Sequence, residues 1–196
     1  MTFTIAIPIH NKDNGVFVDI GAHNGITFSN TAFLEKERGW KGLCVEPCPN
    51  NFEELIENRG CKCLNCAISD HEGEEEFTYI TGAPNMLSGL SADYHPDQLK
   101  RIDRELKNDG GVKRHFMVQT RPLQAIFDEL GLLDIDYCSI DTEGSELKIV
   151  KSIDFSKTNI KLLTIENNYG DNGVREYLES LGYEMVNEGY DEVYIK

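Results

Sequence analysis

Between residues 15 and 68, short apolar runs alternate with amphipathic stretches, the rhythm of strands and helices in a parallel sheet. Val16-Phe17-Val18-Asp19-Ile20 is a short apolar run stopping at Gly21, as a buried strand does. From Ile26 to Arg38, the positions of Ile26, Phe28, Phe33 and Leu34 predict the inner face of a helix that Gly39 ends. Leu43-Cys44-Val45-Glu46 predicts a second strand, halted by Pro47. Pro49 to Asn58 predicts a helix with Phe52, Leu55 and Ile56 at helical spacing, ended by Gly60. Cys63 to Ile68 predicts the third strand.

The rhythm then breaks. Glu74 to Ile80 and His115 to Thr120 alternate like strands, and between them lies a polar stretch from Thr81 to Gly111. It holds Met86-Leu87-Ser88-Gly89-Leu90 and a helical pattern from Pro96 to Lys107. An insertion of that length in a compact domain usually serves function, so it is expected to cap the active site. Alternation resumes with a helix over Pro122 to Leu130, a strand over Ile135 to Ile140, and a helix over Gly144 to Ser152. A strand over Leu162 to Glu166 and a helix over Asn172 to Leu181 follow, and Glu184–Asn187 and Val193–Ile195 read as a closing antiparallel pair. The pattern contains neither repeat nor linker, so one doubly wound α/β domain is expected across residues 1–196.

Composition narrows the function classes. Apolar residues make up 40% of the chain and charged residues 27%, a globular balance. No apolar run approaches the roughly 20 residues that span a bilayer, so no stable membrane insertion is expected. Met1 to Asn14 has Ile5, Ile7 and Ile9 but neither a basic region nor a small-residue cleavage site, and reads as an arm or strand, so a cytoplasmic location is expected. The net charge of −15 repels phosphate backbones, and nucleic acid is not expected as a partner. Lys100, Arg101, Arg104, Lys107, Lys113 and Arg114 are interleaved with Asp97, Asp103, Glu105 and Asp109, the mark of a solvated helical face.

Six cysteines, Cys44, Cys48, Cys61, Cys63, Cys66 and Cys138, lack the paired C-x-x-C knuckles of a zinc site. Most lie in or beside strand-like segments, so reduced thiols packed in the core are the expectation, with no metal.

Candidate chemistry gathers where strands end. Asp19-Ile20-Gly21-Ala22-His23-Asn24-Gly25 closes the first strand with an acid and a G-x-x-x-G turn, whose backbone amides can lie against an extended ligand. His23 stands where the dinucleotide fingerprint has its second glycine, which disfavours close approach of a pyrophosphate. A zwitterionic amino-acid tail suits the turn better, its ammonium meeting Asp19 and its carboxylate the amides. Glu46 ends the second strand 27 residues after Asp19 and can accept both hydroxyls of a ribose. Ala67-Ile68-Ser69-Asp70 either flanks an adenine ring or forms a plain turn. In Ser139-Ile140-Asp141-Thr142-Glu143-Gly144-Ser145-Glu146 two acids, Asp141 and Glu143, reach the same sheet edge. They can act as general base, ligate a hard divalent cation, or bind substrate hydroxyls; Glu143 and Glu146 can also only favour the following helix's N-terminus.

With Val45-Glu46-Pro47 and Asn65-Cys66-Ala67-Ile68-Ser69, these segments resemble the FkbM-type methyltransferases over residues 15 to 168. The resemblance implies a class I methyltransferase fold: a mostly parallel seven-stranded sheet with an antiparallel C-terminal strand, binding S-adenosyl-L-methionine. It implies O-methylation of a small-molecule or glycan acceptor, mostly a sugar, glycolipid or polyketide hydroxyl. By the same carry-over Asp19, Gly21, Asn24, Gly25 and Glu46 fall on cofactor positions, with Asp141 near the methionine end; Ala22, His23, Pro47, Ala67, Ile68 and Ser69 complete the expected cofactor-binding set.

A sugar hydroxyl is a weak acid, so a base assists the transfer. Asp141, Glu143, His95 and His115 are the candidates, and Asp141 with Glu143 are the catalytic expectation. The acidic, capped site points to an uncharged polar acceptor such as a sugar, and a small non-sugar metabolite is the alternative. A nicotinamide-dependent oxidoreductase is disfavoured by the missing G-x-G-x-x-G and Tyr-x-x-x-Lys patterns. A non-catalytic binding module is disfavoured by the intact set of Asp19, Glu46 and Asp141.

Overall fold

The computed structural model describes residues 12–187 and 191–196; the expected N-terminal arm falls almost wholly outside them. In chain order the elements are β1 (Val16–Ile20), α1 (Ala32–Arg38), β2 (Lys41–Val45), α2 (Pro49–Asn58), β3 (Lys62–Leu64), β4 (Ala67–Ile68) and β5 (Gly73–Ile80). The insertion supplies a 3-10 turn (Asn85–Leu87), β6 (Gly89–Leu90) and α3 (Pro96–Asp109), and β7 (Lys113–Arg121) follows. The second half holds α4 (Leu123–Leu130), β8 (Asp134–Ile135), β9 (Tyr137–Ile140), α5 (Glu146–Lys151), β10 (Asn159–Ile160), β11 (Leu162–Glu166), α6 (Gly173–Ser180), β12 (Glu184–Asn187) and β13 (Asp191–Ile195).

The main sheet has seven strands in the order β12-β13-β11-β9-β1-β2-β3. All its pairs are parallel except those of β13, which runs antiparallel to both neighbours. Side-chain alternation divides the core into two layers. Val18, Ile20, Leu43, Val45, Cys138 and Ile140 face the helices α4, α5 and α6. Phe17, Cys44, Tyr137 and Leu162 face the other way, toward Leu34 of α1 and Leu55 of α2. Helices on both faces make the sheet doubly wound and leave ligands one place, the rim where β1, β2, β9 and β11 end. A second sheet, β4-β7-β5-β6, stands beside that rim and carries the insertion.

Three elements depart from the sequence expectation. The helix expected from Ile26 starts only at Ala32, because the Asn24 side chain accepts from the amides of Ile26 and Thr27, and Ser29 accepts from Ala32. Ile26, Phe28 and Phe33 are therefore exposed, and Leu34 alone of the expected face is buried. The strand expected over Cys63 to Ile68 is cut at Asn65, whose amide donates to the Glu46 and Pro47 carbonyls at 2.8 and 3.1 Å. Beyond that tether β4 joins the second sheet instead of the first. The run Ile135 to Ile140 breaks at Asp136, which is buried and accepts from the Val16 amide and from Lys12 and Lys161.

Five of the six cysteines pack in the apolar layers around the main sheet, and Cys48 packs beside the second. Cys61 and Cys63 are half-buried, with the Cys61 and Cys44 sulfurs 3.5 Å apart, and all six are free thiols. Along α3 and β7, Lys100, Arg101 and Lys113 pair with Asp97, Glu105 and Asp103, the balanced face expected from the charge pattern. Among the described residues no helix is long and apolar enough to cross a membrane.

Candidate active site

The turn after β1 is held by backbone contacts. Gly21 and Ala22 donate to the Val45 carbonyl at 3.0 and 3.1 Å, which ties the turn to the end of β2. Gly21 has φ 81°, and a Cβ there would lie 1.8 Å from the Asp141 carbonyl oxygen. His23 follows at φ 48°, an uncommon conformation for a side chain of its size. Its amide donates to Glu46 at 2.9 Å, while both ring nitrogens are enclosed without a hydrogen-bond partner. Burial lowers the pKa of the ring against the opposing pull of the Asn24 side chain and the Glu54 charge.

Not every residue of the turn faces the same way. Asn24 spends its side chain on the local amides and on Glu54. A Cβ on Gly25 would meet Arg59 and Leu55 at 2.6 and 2.7 Å, so this glycine serves packing on α2. Asp19 is buried under α1, accepting from Thr31 at 2.5 Å and lying 3.9 Å from the Arg59 guanidinium. Burial raises its pKa against those partners. It is not among the residues that line the cavity.

Gly21, His23, Glu46, Pro47, Ala67, Ile68, Asp141 and Glu143 share one cavity over the rim. Val45 and Phe77 add apolar lining, and Asn85, Met86, Ser88, Gly89 and Leu90 of the insertion line it as well. Glu46 is buried, one oxygen accepting from the Cys48 amide and Asn51, the other from the His23 amide. Burial lifts its pKa to about 7 against these bonds. A carboxylate offers about four acceptor positions, so Glu46 keeps about one for a ligand and not the two that a bidentate grip needs. Ser69 points away, donating to Glu75, and Asp70 is exposed on His71 at 2.8 Å; neither lines the cavity.

Where β9 ends, Glu146 organises the loop by accepting from the amides of Thr142 and Gly144 and the Thr142 hydroxyl, at 2.8 to 3.2 Å. That cap holds Glu143 at φ 62° and frees its carboxyl for the cleft. Of the two readings left open for these glutamates, Glu146 takes the structural one. Carboxyl oxygens of Asp141, Glu143 and Glu166 lie within 4.8 Å of one another. Asp141 opens on the cleft, yet the cavity walls strip its water, and its pKa rises to about 7. Desolvation and then the Asp141 charge carry Glu143 to about 8, and burial raises Glu166 as well.

The profile of the methyltransferase FkbM domain matches residues 19–185, most of the chain. The chain belongs to the FkbM methyltransferase family. It is similar to methyltransferase sdnD of Sordaria araneosa, 26% identical over 203 residues that cover 91% of this chain and 74% of that protein. It also resembles the crystal structure of an FkbM methyltransferase from Methylobacillus flagellatus KT, with a TM-score of 0.56 at 15% identity. That likeness covers 94% of this chain and only 44% of the other, so the chain spans less than half that protein's length.

The FkbM-family chain has a second cavity beside the first, and Glu143 lines both. Tyr94, His95 and Pro96 of the insertion form one wall, and Glu166 to Tyr169, after β11, form the other. His95 and Tyr169 stack at the rim with ring centres 4.6 Å apart. His95 also caps α3, its Nδ1 accepting from the Asp97 amide, whereas His115 sits on β7 beside Thr78, away from both cavities. Gln98, buried on α3, donates to Glu143 and accepts from the Tyr169 hydroxyl, and so joins the insertion to both loops. The sequence reading missed Glu166, although an acid ending a parallel strand had pointed to Glu46. It also missed Gln98, for which no sequence signal exists.

Proposed function

We propose that this methyltransferase transfers the methyl group of S-adenosylmethionine to a hydroxyl of a sugar or glycan, with the cofactor held in the first cavity. The observation that carries the reading is the convergence on that cavity of Gly21, Glu46, an apolar strip and Asp141 from four separate chain segments. The residues fit the group. Glu46 would accept from a ribose hydroxyl; Val45, Pro47, Ala67, Ile68 and Phe77 offer an apolar slot for a flat base. The enclosed, unpartnered nitrogens of His23 supply polar atoms that a bound ligand would satisfy.

When bound, the cofactor supplies a sulfonium-activated methyl group. The protein's own part is to position the acceptor oxygen, keep water out and take one proton. Asp141 lines the first cavity, its carboxyl within 4.8 Å of Glu143, which lines both. The Asp141 carboxylate receives the hydroxyl proton as the new O–C bond forms and the C–S bond breaks, the electron pair passing to sulfur. A raised pKa suits a base that works near neutrality. The insertion roofs both cavities and acts as the cap.

Asp141→Asn is expected to keep S-adenosylmethionine affinity and to lose about 100-fold or more in turnover, measured by tritiated methyl transfer to a panel of glycans. Turnover at the wild-type rate in the variant would remove Asp141 as base. The three converging carboxyls also have the chemistry of a hard-cation site. A chelator separates the two: unchanged activity supports the carboxylate base, and loss restored by added Mg2+ supports a metal-assisted transfer.

A further inference from the structure

The second cavity carries five carboxyl groups, and among the described residues that line it there is no Lys or Arg. Three of the five have internal roles. Asp93 is bonded to Lys148 at 2.7 Å and to Ser145 at 2.6 Å, Glu146 caps the Thr142–Gly144 amides, and Asp171 accepts from the Gly173 amide at 2.8 Å. Glu143 and Glu166 differ. Each receives a side-chain amide, Gln98 on one and Asn168 on the other, Glu166 also shares a hydrogen bond with Asp141, and among the described residues neither forms an ion pair. Arg101, whose charge reaches Glu143 from α3, is itself bonded to Glu105 at 2.8 Å. The titratable groups that complete the walls are Tyr94, His95 and Tyr169, none of which brings a fixed positive charge.

Carboxyls gathered within 4.8 Å of one another beside a space lined by no Lys or Arg repel one another unless a shared proton or a cationic ligand compensates them. Neutral hydroxyls alone do not. An ammonium group does, because its three N–H donors reach acceptors about 2.8 Å away, and its charge removes the repulsion between the acids. The lining also grades along the path: Asp141 faces the first cavity, Glu143 both, Glu166 the second.

We propose that the second cavity is the acceptor site and that it takes a hydroxylated acceptor bearing a protonated amine, of the amino-sugar class. The ammonium lies between Glu143 and Glu166, and the neighbouring hydroxyl faces Asp141. Held as ammonium, the nitrogen has no lone pair to attack with, so transfer goes to oxygen. Anionic acceptors such as phosphosugars are excluded by the same acids. The inference rests on the proposed methyl-transfer reading and refines its acceptor from neutral to cationic.

The test titrates glucosamine, N-acetylglucosamine and glucose 6-phosphate, by calorimetry, into protein saturated with S-adenosylhomocysteine and free of divalent metal. Glucosamine is expected to bind at least about tenfold tighter than its N-acetyl form, and the phosphate not at all. Glu166→Gln is expected to erase that preference while leaving S-adenosylhomocysteine affinity unchanged, since Glu166 does not line the first cavity. Equal affinity for the amine and its N-acetyl form, no binding of glucosamine, or a preference that survives Glu166→Gln would each overturn the proposal. So would a preference that needs added Mg2+, because the acids would then be holding a metal. Failure of S-adenosylhomocysteine itself to bind would defeat the underlying cofactor reading and the inference with it.

Discussion

A methyl group on Gly21 would have to sit 1.8 Å from the Asp141 carbonyl oxygen, at a φ of 81° that alanine rarely adopts. The glycine is therefore what lets the β1 and β9 loops touch and share a cavity. Gly21→Ala is expected to cost roughly 3 kcal/mol and to displace the Asp141 loop. A thermal melt together with cofactor titration checks this, and a variant matching the wild type in both would deny the contact its role. At this scale the sequence was legible wherever an acid ends a strand. Glu46 and Asp141 both reach the cavity, and Glu166 carries the same signal unread. Asp19 lies off the cavity lining because strand alternation puts it on the face of Phe17, beneath the Arg59 guanidinium that lies 5.2 Å from that ring's centre. Gly25 packs on α2 and Asn24 bonds the local backbone, and in sequence a Gly-rich turn looks the same whether it serves a ligand or α2.

Among the elements, apolar periodicity placed nearly all strands and helices, and its failures share one cause. Asn24, Ser29, Asn65 and Asp136 end or delay elements by bonding backbone amides or carbonyls, some from partners far along the chain. The insertion was legible as an interruption but not as a wall of both cavities, since its bonds to Glu143 and Tyr169 run through one buried glutamine. Its helix α3 is anchored by Ile102, fully buried against Ile80, Leu87 and Tyr94. Ile102→Ala removes packing worth about 2–5 kcal/mol from a residue that lines neither cavity. The expected outcome is S-adenosylhomocysteine affinity weakened about tenfold, equivalent to 1.4 kcal/mol, measured by calorimetry. Unchanged affinity would show that the insertion does not shape the cleft.

Taken as a whole, the chain alternates strand and helix in a way that foretold a doubly wound parallel sheet, and the order β12-β13-β11-β9-β1-β2-β3 follows it. The second sheet was not legible, because β4 pairs with β7 across more than 50 residues and two short apolar positions give no pattern for that. Acidity is also a property of the whole molecule, and it concentrates at the rim. Asp141, Glu143 and Glu46 have pKa values raised from the ordinary carboxylate range to between about 7 and 8. The folded state thus binds more protons than the unfolded chain near neutrality. Their contribution to stability is full below pH 4 and is lost as pH rises through 7 to 8. Melting temperature is expected to fall over that upper window, and Asp141→Asn to flatten the fall by about 2–4 °C, roughly 1 kcal/mol after allowance for its exposure to the cleft. A variant with the wild-type slope would show that Asp141 is ionised throughout. Whether the cavity between the loops after β1, β2 and β9 holds S-adenosylmethionine is decided by calorimetric titration of S-adenosylhomocysteine into wild type and Glu46→Ala. Saturable binding by the wild type, weakened at least tenfold in a folded Glu46→Ala variant, is the expected result; equal affinity in the two proteins would contradict it.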